Sequence, residues 1–254
     1  MLHYLKSGSG FPLVLLHGFC ENHACFTNQA RFLQDHFQVI TLDLPGFGES
    51  SPLPHWSMES MAEELNRFLD ELHVESCILF GHSMGGYITL AFAEQFPGRL
   101  KGFGLIHSTA AADSEDRREK RRQVIRFIEE NGKEAYINSF LPGMFRNPLA
   151  HEADVAFLKS HALKGSSEGI TDACVAMMKR SEKYSLLSES SLPVFFAVGG
   201  HDTFIDQKDV LRQAALCAQA DLCMLESSAH IALFEEPEKL NGAMKIFADR
   251  VLAS

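Results

Sequence analysis

The apolar run Cys77-Ile78-Leu79-Phe80 leads directly into Gly81-His82-Ser83-Met84-Gly85, and this junction constrains the fold of the 254-residue chain more than any other stretch. An uninterrupted apolar run suits a strand covered on both faces, the condition met inside a parallel sheet. The glycine-rich stretch then reads as a sharp turn into a helix, with a serine at its apex. Glycines are needed on either side. The strained turn brings the helix so close to the strand that a Cβ would clash.

The rest of the chain repeats this strand-then-helix rhythm. Phe11 to Leu16 is a second buried-strand run, ending at His17-Gly18. Ala24 to Phe37 has helical spacing, with Phe26, Ala30, Leu33 and Phe37 on one side. Gln38 to Leu44 predicts another strand, stopped by the breaker cluster Pro45-Gly46-Phe47-Gly48. Ser57 to Leu72 is an amphipathic helix with Ser57 as N-cap and Ser60 as the alternative. A helix from Met84 to Phe96 and a strand from Leu100 to Ile106 follow. Strands separated by helices predict an α/β fold, a mostly parallel central sheet flanked by helices in three layers. From Thr109 the pattern changes. Residues 113 to about 185 carry helical periodicity, cut into four helices by Gly132, Pro142-Gly143, Pro148 and the stretch 165–169. After Pro193 the alternation resumes, with strand Val194–Val198, helix Gln207–Cys217, strand Leu222–Leu225 and helix Glu238–Leu252. The expected organisation is therefore a core in two parts, 1–108 and 187–254, with an all-helical lid over 109–186.

Composition narrows the function classes. A formal charge of −10 opposes non-specific nucleic-acid binding, which depends on basic residues meeting phosphates. No apolar stretch approaches the ~20 residues of a membrane span, and the first residues do not resemble a signal peptide, so a cytoplasmic location is expected. The 6 cysteines lack CxxC or Cys/His spacing. They read as reduced, buried thiols, and neither a metal nor a cofactor is expected.

A serine hydroxyl is a weak nucleophile near pH 7 and needs a base, which in turn needs an orienting carboxylate. His230 follows the predicted strand Leu222–Leu225 through a short turn, and Asp202 follows Val194–Val198. Ser83 also follows a strand. Three βα turns thus bring these residues to one edge of a parallel sheet, where sites form.

That chain order, serine then aspartate then histidine, resembles the α/β-hydrolase fold family over essentially the whole sequence. His17-Gly18-Phe19 matches the family's oxyanion loop, and Asp43-Leu44-Pro45-Gly46-Phe47-Gly48-Glu49-Ser50 its D-x-P-G-x-G-x-S segment. Gly81 to Gly86 is the nucleophile elbow. Val198 to Asp202 resembles the acid-bearing strand end, and His230 with Glu235-Glu236-Pro237-Glu238 the terminal histidine segment. Asp206 stands where relatives often carry proline, which makes it a second carboxylate near His230, and Ala229 replaces a common glycine.

The resemblance implies that Ser83 attacks a carbonyl while His230 takes its proton and Asp202 orients His230. The backbone N–H groups of Phe19 and Met84 would meet the developing oxyanion. The implied enzyme is an esterase-like serine hydrolase acting on a small carboxylic ester or thioester. Carbon–carbon hydrolases, cofactor-free perhydrolases and lyases share the triad, and a non-catalytic ligand receptor on this fold is the reading from another class. His17 is expected to buttress the oxyanion loop, His82 to form pocket wall or support, and Asp43 to be structural. His107, His151, His161 and His201 show no partner pattern. The run Arg117-Arg118-Glu119-Lys120-Arg121-Arg122 is expected to be a solvated helix face. The sharper reading is a dock for an acidic partner, such as an acyl carrier protein, or for a substrate carboxylate, with Arg118 and Arg122 as contacts. Phe140, Met144, Phe145, Met177 and Met178 divide between pocket lining and lid core.

Overall fold

The computed structural model describes residues 2–253. Its seven strands are β1 (Tyr4–Ser7), β2 (Pro12–Leu16), β3 (Gln38–Leu42), β4 (Cys77–His82), β5 (Leu100–Ile106), β6 (Val194–Gly199) and β7 (Ala220–Leu225). They form one sheet in the order β1-β3-β2-β4-β5-β6-β7. Every neighbouring pair is parallel except β1 with β3. β4 and β6 are buried at every residue, as their unbroken apolar runs require when both faces are covered.

The α-helices are α1 (Thr27–Leu33), α2 (Met58–Glu71), α3 (Met84–Gln95), α4 (Glu115–Phe140), α5 (Glu152–Ala162), α6 (Ser167–Lys179), α7 (Tyr184–Glu189), α8 (Gln207–Ala214), α9 (Ala232–Glu235) and α10 (Pro237–Ala253). α2 packs on α3 and α1 on α10, and α3 and α10 both rest on the sheet. This is the mostly parallel α/β architecture that the strand–helix rhythm predicts, and the fold that the resemblance implies. Four helices, α4 to α7, lie between β5 and β6. Gly132 interrupts α4 with φ +80°, in the left-handed region that glycine tolerates.

Some boundaries differ from expectation for local reasons. The helix predicted over Ala24–Phe37 is a 3₁₀ turn, His23–Phe26, followed by the short α1. Asn22 caps that turn by accepting the Ala24 N–H, while Phe26 and Phe37 are still buried from either side of α1. The N-cap of α2 is a reciprocal box. Ser57 Oγ accepts from the Ser60 N–H, and Ser60 Oγ accepts from the Ser57 N–H, so both serines named as alternatives take part. β1, which the sequence does not announce, is a partly exposed edge strand without an apolar run.

Candidate active site

Ser83 sits between β4 and α3 with φ +49° and ψ −113°, a strained conformation for a residue with a Cβ. Its backbone is held from two sides, its N–H donating to the Ile106 carbonyl and its carbonyl accepting from Ser108 Oγ. A Cβ on Gly81 would lie 2.3 Å from the Gly85 carbonyl carbon, and one on Gly85 would lie 2.2 Å from the Leu16 oxygen. The glycines therefore mark true close approaches of α3 to β4 and β2.

His230 Nε2 lies 2.9 Å from Ser83 Oγ, and His230 Nδ1 lies 2.8 Å from Asp202 Oδ2. An ionised carboxylate can only accept, so Nδ1 carries the proton and Nε2 is left to accept from the serine hydroxyl. The three residues named from the sequence are thus brought into one hydrogen-bonded line. Asp202 Oδ1 takes the N–H groups of Phe204 and Ile205 at 2.8 and 3.0 Å, which fixes the carboxylate's orientation. Asp206 is elsewhere. It caps α8 by accepting the Lys208 N–H, so it does not compete for His230.

The loop carrying His230 is clamped by two glutamates that the terminal segment supplies. Glu235 accepts from the Ala229 and Arg146 N–H groups, and Glu236 accepts from Ser227 N–H and Ser228 Oγ. The His230 N–H itself donates to the Met144 carbonyl, and the Phe204 ring packs 4.7 Å from the imidazole.

His107 is the residue that sequence reasoning missed. It is fully buried, and its Nδ1 lies 3.0 Å from the same Asp202 oxygen that holds His230. Its Nε2 accepts from the Ala232 N–H, so the ring is neutral with the proton on Nδ1. Burial drives its pKa down to about 4 against the opposing pull of Asp202, which keeps it neutral near pH 7. For Asp202 burial would raise the pKa, but the charge and hydrogen bonds of His230 and the bond from His107 outweigh it. The carboxyl stays well below the usual carboxylate range. A hydrogen bond to a buried charge is worth ~1.5–3 kcal/mol, so His107→Phe should lower kcat about tenfold. Steady-state kinetics on an aryl ester would show this, and a change below twofold would leave His107 with no part in orienting Asp202.

His17 braces the loop that follows β2, donating from Nδ1 to the Gly18 carbonyl at 2.7 Å and accepting the Leu44 N–H at Nε2. Its pKa is lowered by burial, partly offset by Asp43. His82 does more than line a wall. Both its ring nitrogens face acceptors, Glu21 Oε2 at 2.9 Å and the His230 carbonyl at 2.9 Å. Two acceptors require two protons, so His82 is an imidazolium paired with the Glu21 carboxylate, both fully buried. Burial opposes both charges, yet the pair raises the His82 pKa and lowers that of Glu21. Glu21 also takes the Gly18 N–H at 2.6 Å, linking the loop after β2 to the His230 loop.

The remaining predicted residues divide cleanly. Asp43 is structural: its Oδ1 accepts from His23 N–H and Nδ1, and its Oδ2 from His3 Nδ1 and Glu49 N–H. His3, His23 and Asp43 are near enough to hold a cation, as are His107, Asp202 and His230. In both groups the facing nitrogens already stand at hydrogen-bond distance from the carboxylate, so the donor sets are satisfied within the protein. His151 pairs with Asp154, and His161 lies beside Asn22. The cysteines are all free, and all but the half-buried Cys217 are buried.

A cavity of about 330 Å³ opens over Ser83 and His230. Phe140, Met144 and Met177 line it, while Phe145 packs against His151 and Phe234 instead. Arg117, Lys120 and Arg121 also line it, contrary to the expectation of a wholly solvated basic face. Arg118 and Arg122, the contacts expected from sequence, do not line it and are tied to Glu115 and Glu119. Among the described residues no helix is long and apolar enough to cross a membrane.

Comparison with known proteins agrees with this fold. Residues 12–124 match the family model described as the alpha/beta hydrolase fold. The chain is 29% identical to the dihydrolipoyllysine-residue acetyltransferase component of the acetoin cleaving system of Pseudomonas putida, over 97% of this chain and 66% of that protein. It therefore spans just under two thirds of that relative's length. It is 25% identical to 3-oxoadipate enol-lactonase 1 of Acinetobacter baylyi, over 86% of this chain and 81% of that protein. A thermophilic esterase from Thermogutta terrifontis superposes with a TM-score of 0.93 at 29% identity, covering 98% of this chain and 93% of that one. With the sheet order and these likenesses in agreement, the chain has the α/β-hydrolase fold.

Proposed function

We propose that the protein is a serine hydrolase that cleaves a small carboxylic ester or thioester through an acyl-serine intermediate. The observation that carries this reading is the unbroken line from Ser83 Oγ through His230 to Asp202, at 2.9 and 2.8 Å, on a strained elbow. Ser83 Oγ attacks the carbonyl carbon as its proton passes to His230 Nε2, and Asp202 stabilises the imidazolium that forms. His230 then gives that proton to the leaving group. A water molecule attacks the acyl-serine with His230 again as base, and the acid product departs with Ser83 restored.

The oxyanion is received by the N–H groups of Phe19 and Met84. Neither N–H is taken by another group of the protein among the described residues. Met84 is also the first residue of α3, where the helix dipole favours negative charge. The helices between β5 and β6 serve as a lid, since α4 and α6 supply cavity-lining residues. The cavity lies at the small end of the ~300–1,000 Å³ range of ligand pockets, which favours a compact substrate.

Labelling with a fluorophosphonate tests the reading. The wild-type protein should take up one equivalent on the peptide carrying Ser83, and folded Ser83→Ala should take up none. Equal labelling of both would remove Ser83 as the nucleophile, and so would failure of the wild type to react.

A further inference from the structure

Among the described residues, the cavity over Ser83 is lined by three arginine or lysine side chains and by no aspartate or glutamate, in a chain whose formal charge is −10. This inversion of sign needs a reason. Arg117, Lys120 and Arg121 fall at positions i, i+3 and i+4 of α4, so they share one helix face. The run 117–122 is thus divided between two faces. Arg118 and Arg122 are neutralised outside by Glu115 and Glu119.

The three cavity-facing cations are not equivalent. Arg121 is tied to the buried Asp113, which also holds Arg180 at 2.8 Å. One carboxylate between two guanidiniums leaves that cluster with a surplus positive charge. Arg117 donates to the Phe204 carbonyl, a neutral partner, and among the described residues it forms no ion pair. Lys120 is exposed at the rim and has no partner among the described residues. An arginine without a counter-ion and a free lysine, facing one small cavity, form a receptor for an anion.

From this we infer that the substrate carries an ionised carboxylate beside the bond that is cleaved, held by Lys120 and Arg117 while its ester carbonyl reaches Ser83. The inference rests on the acyl-serine reading for where the carbonyl sits, but not for the anion site itself. Phe19, Tyr136, Phe140, Met144 and Met177 leave the remaining walls apolar, so a short hydrocarbon spacer between the two carbonyl groups fits. Half-esters of small dicarboxylic acids have this form.

The test compares p-nitrophenyl hydrogen adipate with its methyl ester, which has the same spacer and no charge. In low-salt buffer kcat/KM for the anionic ester should exceed that for the neutral one by about tenfold or more, as charge-assisted hydrogen bonds allow. Lys120→Met should reduce the ratio about three- to tenfold through KM, and Lys120→Arg should restore it. Raising the salt should also reduce it, because Lys120 is exposed and screened. Arg118→Gln and Arg122→Gln, on the outer face, should change neither ester. A wild-type ratio of one or less would overturn the inference, as would equal loss of both esters in Lys120→Met.

Calorimetry on Ser83→Ala with adipate keeps the two readings apart. Binding that weakens in the Ser83→Ala/Lys120→Met protein supports the anion site even if Ser83 proves not to be the nucleophile, and absent binding removes the site. Inorganic phosphate that binds more tightly than adipate would overturn the assignment to a carboxylate.

Discussion

Ser83→Ala should lower kcat for a small aryl ester by about 10⁶-fold, and His230→Ala by a similar factor, because nucleophile and base act as one unit. For the same reason the double variant should be no worse than either single one. Asp202→Asn should cost about 10⁴-fold, and here the cause can be traced atom by atom. Asp202 Oδ2 accepts from both His230 Nδ1 and His107 Nδ1. An amide nitrogen at that position would meet two N–H donors, forcing His230 to move its proton to Nε2, the atom that must accept from Ser83. An amide oxygen there would keep the tautomer but lose the charge that stabilises the imidazolium. Stopped-flow and steady-state assays on protein of unchanged circular dichroism would measure these losses. A kcat for Asp202→Asn within tenfold of wild type would contradict the proposed role.

The second large effect concerns stability. Glu21→Gln should destabilise the protein by about 3–5 kcal/mol, the usual cost of leaving one partner of a buried ion pair alone. In a chain of this size that is a fall in Tm of roughly 10 °C. The pH dependence follows from the directions of the two shifts. His82 has a raised pKa, so its contribution is complete below its ordinary value of 6.5 and is lost as pH rises through the raised value. Glu21 has a lowered pKa, so its contribution is complete above 4.5 and is lost as pH falls through the lowered value. The stability gap between wild type and Glu21→Gln should therefore be widest between pH 4.5 and 6.5 and narrow on either side. Thermal melts across pH would reveal it, and a gap independent of pH would show that the two groups are not an ion pair. Activity should fall too, since the pair joins Gly18, in the proposed oxyanion loop, to the backbone of His230.

The site was legible in the sequence where function is written into short, local patterns. The strand run into Ser83, the breakers after β3 and the turns before Asp202 and His230 each lie within a few residues of the side chain they place. His107 was not legible because its role depends on pairing between distant segments. β5 pairs with β6 so that Ile106 lies opposite Ala197, and the His107 N–H then bonds the Ala197 carbonyl. Only that register carries the ring to Asp202, 95 residues away. Glu21 and His82 were hidden in the same way, being 61 residues apart and joined across two turns.

How the basic run divides around α4 is not legible for a different reason. α4 carries charge on both faces, so no apolar stripe shows which arginines turn inward. Its acidic neighbours nearly balance the run in number, yet Glu115 and Glu119 serve only the outer side. β1 escaped notice because an edge strand that is partly exposed needs no apolar run, only the pairing of Tyr4 with Leu42 and its successors.

The measurement that tests the central claim most directly is the intact and peptide mass of protein quenched with acid during turnover of p-nitrophenyl acetate. The proposed mechanism predicts an added acetyl group on the peptide carrying Ser83, formed at the rate of a nitrophenolate burst equal to the enzyme concentration and absent from Ser83→Ala. Turnover without any adduct or burst, or an acetyl group that persists on another residue in Ser83→Ala with undiminished kcat, would contradict it.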